Sequence, residues 1–304
     1  MPEKLLLLDT ASLYFRAFHG VPESVAAPDG TPVNAVRGLL DFIARLVADR
    51  SPTRLVACMD ADWRPAFRVA ALPTYKAHRL ADSGPVGEEQ VPATLVPQVP
   101  VIEEVLDALG LARVGVAGFE ADDVIATLAA VADVPTDVVT GDRDLFQVVD
   151  DARGVRVLYT ARGVGRHEVV DEAAVRARYG IPGRSYADFA LLRGDPSDGL
   201  PGVPGIGDKT AAWLIERYGS LEAVLAACDE PGSDLPPGPR GRLRAARDYL
   251  AAAPVVVRVR TDVPLPHYDD TLPAAPRDPD RLAALDERWA LGSSLQRVLQ
   301  ALAQ

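Results

Sequence analysis

Short apolar runs, each closed by a polar turn, alternate along the first half of the chain with stretches whose apolar positions recur every three to four residues. KLLLL (4–8), RLVACM (54–59) and TDVVT (136–140) read as buried strands, since a brief uninterrupted apolar run suits a strand covered on both faces. Between them, 34–49 (NAVRGLLDFIARLVAD), 92–109 and 120–132 carry the helical period. Strands alternating with helices predict an α/β fold, a central and mainly parallel sheet flanked by helices. Residues 155–170 read as a short strand pair. From 171 the pattern turns helical, over 171–179 with Asp171 as N-cap, then 185–193, 208–218, 220–227 and 240–252. Gly and Pro crowd 229–241, an expected exposed loop. VVVRVR (255–260) is strand-like, and a final helix is expected over 279–303. Residues 80–92 (LADSGPVGEEQVP) are poor in large apolar groups and are expected to be mobile.

At 304 residues and 48% apolar composition, the chain is globular and able to bury a sizeable core. No apolar run approaches the ~20 residues of a bilayer span, and MPEKLLLLDTAS lacks the h-region and cleavage site of a signal peptide. Two distant cysteines, Cys58 and Cys228, fit reduced thiols, so a cytoplasmic location without a membrane is expected. His19, His78, His167 and His267 form no ligand cluster. A net charge of −11 runs against a nucleic-acid partner when taken globally, but the local field at the binding face is what decides. The bases are nearly all arginine. Only Lys4, Lys76 and Lys209 are lysine, and the last two fall inside motifs.

Acidic residues change this picture most. Asp9 closes the first strand, Asp60 and Asp62 follow the second, and Asp142 and Asp144 follow TDVVT in GDRDLF. GFEADDVIATLAA carries Glu120, Asp122 and Asp123, and LLRGDPSDGLPG carries Asp195 and Asp198. In a doubly wound sheet the ligand crevice lies beyond the carboxyl ends of the strands, so Asp9, Asp60 and Asp142 are expected at one edge. Crowded carboxylates repel and raise one another's pKa unless a cation compensates them. Oxygen-only ligands select hard ions such as Mg²⁺ or Mn²⁺. Helix capping explains one or two of the 120–123 acids, which favour a helix N-terminus, but not three beside two further clusters. GDRD taken alone fits a solvated turn equally well.

A second motif is LPGVPGIGDKTAAWLIERYG (200–219). Glycines 202, 205 and 207 permit a tight hairpin, and a helix beginning near Asp208 would point backbone N–H groups at a phosphate, with Lys209 adding charge. The turn's carbonyls also suit a monovalent cation. A P-loop would need lysine at 208, where the chain has Asp208. PTYKAHR (73–79) sets Tyr75 among Lys76, His78 and Arg79, suiting a stacked base and a clamped phosphate; by itself it fits a solvated basic face as well. AFRVAAL offers Arg68, and Arg16 lies two helical turns after Asp9. Tyr14, Phe15 and Phe18 read as core.

Together, LLLLDTAS, EADDVIA, TGDRDLFQ and GDPSDGLPGVPGIGDKTA resemble the bacterial 5′ nuclease family, the flap-endonuclease-like 5′–3′ exonucleases also found as the N-terminal domain of DNA polymerase I. The resemblance runs from LLLLDTAS to about 290 and implies a stand-alone nuclease. It implies a PIN-like α/β nuclease core over 1–180, with a helical arch about 73–97, and a helix–hairpin–helix DNA-binding region with C-terminal helices over 181–304. It implies a first metal cluster of Asp9, Asp60, Glu120 and Asp122, with Asp123 close by. A second comprises Asp142, Asp144 and Asp198, with Asp195 acting through water. Tyr75, Lys76 and Arg79 match the base of the arch, and Arg16 and Arg68 match basic residues near the scissile phosphate. Gly202, Val203, Gly205, Ile206, Gly207, Lys209 and Thr210 match the duplex-holding hairpin, which in the family can bind K⁺. The family usually has asparagine after the second aspartate of G-D-x-S-D-N, where this chain has Gly199.

The activity implied by the resemblance is two-metal hydrolysis of DNA at a 5′ end or flap, in primer and flap removal during replication and repair. Two or more Mg²⁺ or Mn²⁺ ions would clamp the attacking and leaving oxygens, and Lys76 and Arg79 would stabilise developing charge. RNA primer–DNA hybrids are a further substrate class, and a monomer is expected. A small-molecule phosphatase with Asp9 as nucleophile would want a second aspartate where the chain has Ala11. A non-catalytic DNA-binding module has no use for repelling carboxylates, and a single-strand RNase does not need the 200–219 hairpin.

Overall fold

The computed structural model describes residues 3–81 and 87–303. Its six-stranded sheet is built from β1 (Leu5–Asp9), β2 (Arg54–Cys58), β3 (Ala112–Val114), β4 (Thr136–Thr140), β5 (Val155–Tyr159) and β6 (Glu168–Val170), in the order β3-β2-β1-β4-β5-β6. All neighbours are parallel except β6, which returns antiparallel to β5 as the edge strand. The four leucines of β1 show why the run is uninterrupted: Leu5 and Leu7 enter one core, and Leu6 and Leu8 the other. Alternate side chains of a strand point to opposite faces, so a central strand covered on both sides must be apolar throughout. Full burial of each leucine contributes about 1.5–3 kcal/mol.

One face is covered by α1 (Thr10–Gly20), α2 (Asn34–Arg50) and α4 (Gln98–Leu109), while α3 (Ala66–Ala71) and α5 (Ala121–Val131) pack on the other. The chain continues through α6 (Glu172–Tyr179), α7 (Tyr186–Arg193), α8 (Asp208–Tyr218), α9 (Leu221–Asp229), α10 (Pro237–Ala245), α11 (Arg247–Ala252) and α12 (Pro254–Val257). It ends in α13 (Pro279–Trp289) and α14 (Gly292–Leu302), and α14 lies along α2.

Several elements differ from the pattern read off the chain. Residues 92–97 stay out of α4, between Pro92 and Pro97, which follows from the missing N–H and fixed φ of proline. The expected 229–241 loop ends early because Pro237 starts α10 at a helix's first turn, where proline is tolerated. VVVRVR is not a strand: Pro254–Val257 makes one helical turn, and only then does the chain extend. The last helix is two, separated at Ala290, which sits left-handed at φ 49°. In the described parts of 73–97 preceding α4 the backbone is turns, the 3-10 segment Ala77–Arg79 and an antiparallel bridge between Leu80 and Glu89, with no α-helix among them, and the expected arch falls partly on 82–86, outside the described residues. The stretch expected to be mobile, 80–92, falls partly on 82–86, outside the described residues. Among the described residues no helix is long and apolar enough to cross a membrane.

Candidate metal centre and nucleic-acid interface

β2 lies on one side of β1 and β4 on the other, so strand order reverses between β1 and β4. Crevices open at such a reversal. Asp9, the last residue of β1, is pinned there twice: Thr140 Oγ1 on β4 donates to its Oδ2 at 2.7 Å, and Ser12 N in α1 donates to its Oδ1 at 3.1 Å. The next turn is built on the same groups, with Asp142 N donating to Thr140 Oγ1 and Asp144 N donating to Asp142 Oδ1, each at 2.9 Å. Asp60, beyond β2, accepts from Ala121 N at 2.7 Å. That bond joins the end of β2 to the first turn of α5, where Glu120 is N-cap.

A cavity of about 450 Å³ opens at this edge, lined by Asp9, Asp60, Glu120, Asp122, Asp142 and Asp195 with Lys76 and Arg79. Asp198 and Asp144 belong to the same field, since Asp142 acts on both. Burial, then the Asp60 charge, pushes Asp9 up to about 7. Burial and the Asp9 and Asp142 charges hold Asp122 well above the carboxylate range, and burial with Asp142, Asp198 and Asp195 does the same to Asp144. Burial, opposed by Lys76, carries Asp198 to about 6. Asp60 is raised by burial too, though it stands exposed at the mouth, where solvent screens the repulsion.

The acids therefore suit a hard cation, and one observation makes the fit specific: Asp144 Oδ1 is buried with no hydrogen-bond partner among the described residues, an acceptor oxygen left for something not made of protein. As placed, no three of these side chains among the described residues form a ready-made cage. Cations of the protein stand among them. Lys76 Nζ donates to Glu120 Oε1, and Arg79 Nη2 bonds Ser197 O at 2.8 Å and Asp198 Oδ1 at 3.3 Å. Burial opposes the Lys76 ammonium, but Glu120, Tyr75 and Asp198 outweigh it and hold its pKa well above the usual value. Lys76 itself is left-handed at φ 47°, which costs a non-glycine residue about 1 kcal/mol.

Some expected site residues are committed elsewhere. Asp123 is 0% exposed, and its oxygens accept from Arg68 Nη1 and Nη2, Arg260 N and Glu120 N. A carboxylate so filled has no lone pair turned to the cavity. Arg68, expected near a scissile phosphate, is 2% exposed. It bonds Glu120, Asp123 and Val256 O, so it acts as a buried counter-ion tying α3 to α5 and α12. Tyr75, expected to stack on a base, is 3% exposed, with its hydroxyl donating to Glu120 Oε2 at 2.8 Å. Arg16 stands behind the Gly141 turn, with Nε buried and unpartnered.

Supporting residues that the sequence reading did not single out include Thr140 and Ser12, which hold Asp9, and Arg64. Arg64 bonds Tyr75 O at 2.6 Å and Pro73 O at 2.7 Å and so fixes the 73–76 segment. Arg143 and Tyr159 also line the cavity. Arg143 is visible in the sequence between the two acids of GDRD. Ser12 and Thr140 stand inside LLLLDTAS and TGDRDLFQ and Arg64 and Tyr159 in no motif, but residue type alone does not say which groups they bond or face.

The glycine hairpin sits beside the acids. Gly202 has φ 66°, and a Cβ there would stand 2.5 Å from Arg193 O, so the hairpin closes directly onto the chain leading to Asp195. Arg193 also bonds Asp195 Oδ2 at 3.3 Å. Val203 and Ile206 are buried and plug the hairpin into its subdomain rather than facing outward. Gly205, Gly207 and Lys209 are exposed at the start of α8, and Thr210 is half-buried with its N–H bonded to Gly207 O. Gly205 O, a carbonyl a monovalent ion would want, accepts from Arg242 Nη1 at 2.7 Å.

Comparison with known proteins gives a consistent result. Residues 4–180 match the 5′–3′ exonuclease N-terminal resolvase-like domain, and residues 181–280 match the 5′–3′ exonuclease C-terminal SAM fold. The chain is 66% identical over 299 residues to a 5′–3′ exonuclease of Streptomyces coelicolor, covering 98% of this chain and 99% of the other. It is 51% identical over 313 residues to a 5′–3′ exonuclease of Mycobacterium tuberculosis, covering 99% and 98%. Among solved structures, the bacteriophage T5 D15 flap endonuclease in complex with DNA and metal ions shares the fold, with a TM-score of 0.64 at 16% identity over 99% of this chain and 100% of that one.

Proposed function

We infer, for a chain that belongs to the 5′–3′ exonuclease family, that the cleft beyond β1 and β4 hydrolyses DNA phosphodiester bonds at a 5′ end or 5′ flap. The chain is a nuclease of the hydrolase class. What carries the reading of the site is the convergence of acids from five separated segments, residues 9, 60, 120–122, 142–144 and 195–198, into one field rimmed by Lys76 and Arg79.

Asp9, Asp60 and Asp122 would hold one divalent cation, with Glu120, whose oxygens accept from Arg68, Tyr75 and Lys76, beside it, and Asp142, Asp144, Asp195 and Asp198 would hold another, with Mg²⁺ or Mn²⁺ as the species. Such ions, when bound, neutralise the acids, lower the pKa of water and stabilise charge on phosphate oxygens. The protein's own groups do the remaining work. Thr140 and Ser12 orient Asp9 by two hydrogen bonds. Lys76 and Arg79, on the rim, present cationic donors to the non-bridging oxygens of a phosphate drawn into the cleft. The backbone N–H groups of the exposed residues Gly205 and Gly207, with Lys209, hold the duplex by its backbone without reading sequence. A grip on phosphates admits an RNA primer–DNA hybrid as well as DNA. Products carry a 5′-phosphate and a 3′-hydroxyl, as expected of flap and primer removal in replication and repair.

Residues 1–180 serve as the nuclease core, with Lys76, Arg79 and Glu89 rimming the cleft, and 181–304 as the duplex-holding region. The protein acts as a monomer in the cytoplasm, in keeping with two cysteines that are free and buried. Any K⁺ at the hairpin would share its carbonyls with Arg242.

The test is cleavage of labelled 5′-flap, nicked and single-stranded DNA with Mg²⁺, Mn²⁺ or chelator. Flap and nicked substrates should be cut from the 5′ side only with a divalent ion. Undiminished cutting in chelator, or none on any 5′-ended duplex, refutes the reading.

A further inference from the structure

Gly199 occupies a place where two chain segments meet back to back. It is left-handed at φ 72°, and a Cβ built on it would stand 2.3 Å from Thr74 O and 3.2 Å from the Thr74 carbonyl carbon. Both neighbours are backbone, so no side-chain rotation relieves the overlap. Around this contact the segments are stitched together. Lys76 N donates to Asp198 O at 3.0 Å, Thr74 Oγ1 donates to Gly199 O at 3.2 Å, and Arg79 Nη2 donates to Ser197 O at 2.8 Å.

The 195–200 segment is itself closed. Asp195 and Leu200 exchange N–H···O bonds of 3.0 and 2.8 Å, and Asp198 N and Gly199 N donate back to Asp195 O and Pro196 O at 3.2 Å. It cannot yield to a side chain at 199 without also moving Asp195 and Asp198. On the other side, Arg64 holds Pro73 O and Tyr75 O, so the Thr74 carbonyl is equally fixed. Lys76, two residues on, has the left-handed backbone that sends its ammonium to Glu120.

We propose that Gly199 is a positioning residue. Its missing Cβ lets the 73–79 segment dock directly on the acid-bearing turn, and that docking sets Lys76 and Arg79 in register with the acids. The asparagine that the resemblance leads one to expect at 199 is therefore not interchangeable with glycine in this chain. Asparagine tolerates the left-handed backbone, but its Cβ meets the Thr74 carbonyl all the same. The proposal rests on the nuclease reading for its effect on turnover, but not for its effect on Lys76.

The experiment separates the two. Gly199→Asn and Gly199→Ala are compared with wild type for kcat and KM on a 5′-flap duplex in Mg²⁺, and for the lysine side-chain signals of metal-free protein labelled with ¹³C at lysine Cε. Only three lysines contribute, and Lys76, whose Nζ stands 5.1 Å from the Tyr75 ring centroid, is assigned with Lys76→Met. The expected result is a fall in kcat of at least about tenfold with KM within about twofold, and a shift of the Lys76 signal toward that of a solvated lysine while Lys4 and Lys209 stay put. Should either variant fold poorly, Thr74→Val keeps the backbone and deletes only the hydroxyl bond to Gly199 O. It should lower kcat a few-fold and move the same signal partway. An unmoved Lys76 signal, or wild-type kcat in Gly199→Asn, overturns the proposal. Wild-type protein inert on every substrate, with the Lys76 shift still present in the variants, would instead refute the nuclease reading and leave the docking role standing.

Discussion

Divalent cations should stabilise the folded chain at pH 8 and do little at pH 5. Folding raises Asp9 from 3.8 to about 7 and Asp198 from 3.8 to about 6. Between the unfolded and folded values the native chain holds more protons than the unfolded one, so stability falls as pH rises. The associated stability is fully present below pH 3.8 and is lost by the time pH has passed the folded values. From pH 5 to 8, Asp9 contributes about two pKa units and Asp198 about one, at about 1.4 kcal/mol per unit. Both belong to one interacting set, so the sum is not additive, and a loss of about 3 kcal/mol is the working figure. Asp122 and Asp144 are raised by burial and by the same neighbours and act in the same direction. In a chain of this size 1 kcal/mol moves Tm by about 2 °C, so chelator-treated protein should lose about 6 °C between pH 5 and 8. Saturating MgCl₂ or MnCl₂ should restore that loss at pH 8 by occupying the acids as carboxylates. Scanning calorimetry at matched ionic strength reads both effects. A Tm that is flat or rising over this range in chelator, or an equal cation effect at both pH values, refutes the argument that the cleft stores uncompensated charge.

Asp9→Asn should make metal-free protein more stable at pH 8 by about 1–3 kcal/mol, read by urea denaturation, while turnover is lost, because the amide removes the charge yet still accepts from Ser12 N. Asp142→Asn should lower turnover by orders of magnitude with duplex affinity intact in a gel-shift assay; Asp142 is exposed and supports only the Asp144 N–H, so its loss should not unfold the turn. Lys209→Ala should weaken duplex binding and reduce the slope of log K against log salt by about one, measured by fluorescence anisotropy. Arg68→Met should cost about 3–5 kcal/mol, since it strands the buried carboxylates of Glu120 and Asp123; a Tm within a degree or two of wild type would show that pair to be dispensable.

The sheet is legible in the sequence because buried parallel strands must be apolar on both faces, so β1, β2 and β4 stand out as uninterrupted runs. β3, three residues long with two of them only half-buried, carries no such run and cannot be picked out from the chain. VVVRVR misleads because β-branched composition favours a strand, while Pro254 and packing against α7 and α3 turn it into a helical turn.

The acids of the cleft are visible as types and spacings, and strand ends alone suffice to place Asp9, Asp60 and Asp142 at one edge, since a parallel sheet carries all its carboxyl ends the same way. Which carboxylates stay open cannot be read from the chain. Asp122 and Asp123 are adjacent, yet one faces the cavity and the other is filled by Arg68. That division depends on the rotation of α5 about its axis and on α3 arriving from far away in sequence. The same holds for Tyr75, drawn into the core by Glu120, and for the seat that Thr74 makes for Gly199. The chain by itself determined its strands other than β3, the edge where charge gathers and the chemistry that charge invites. Only the packed structure decided which acids remain free and which cations stand among them, because hydrogen bonds between segments a hundred residues apart exist only once the backbone has brought them together.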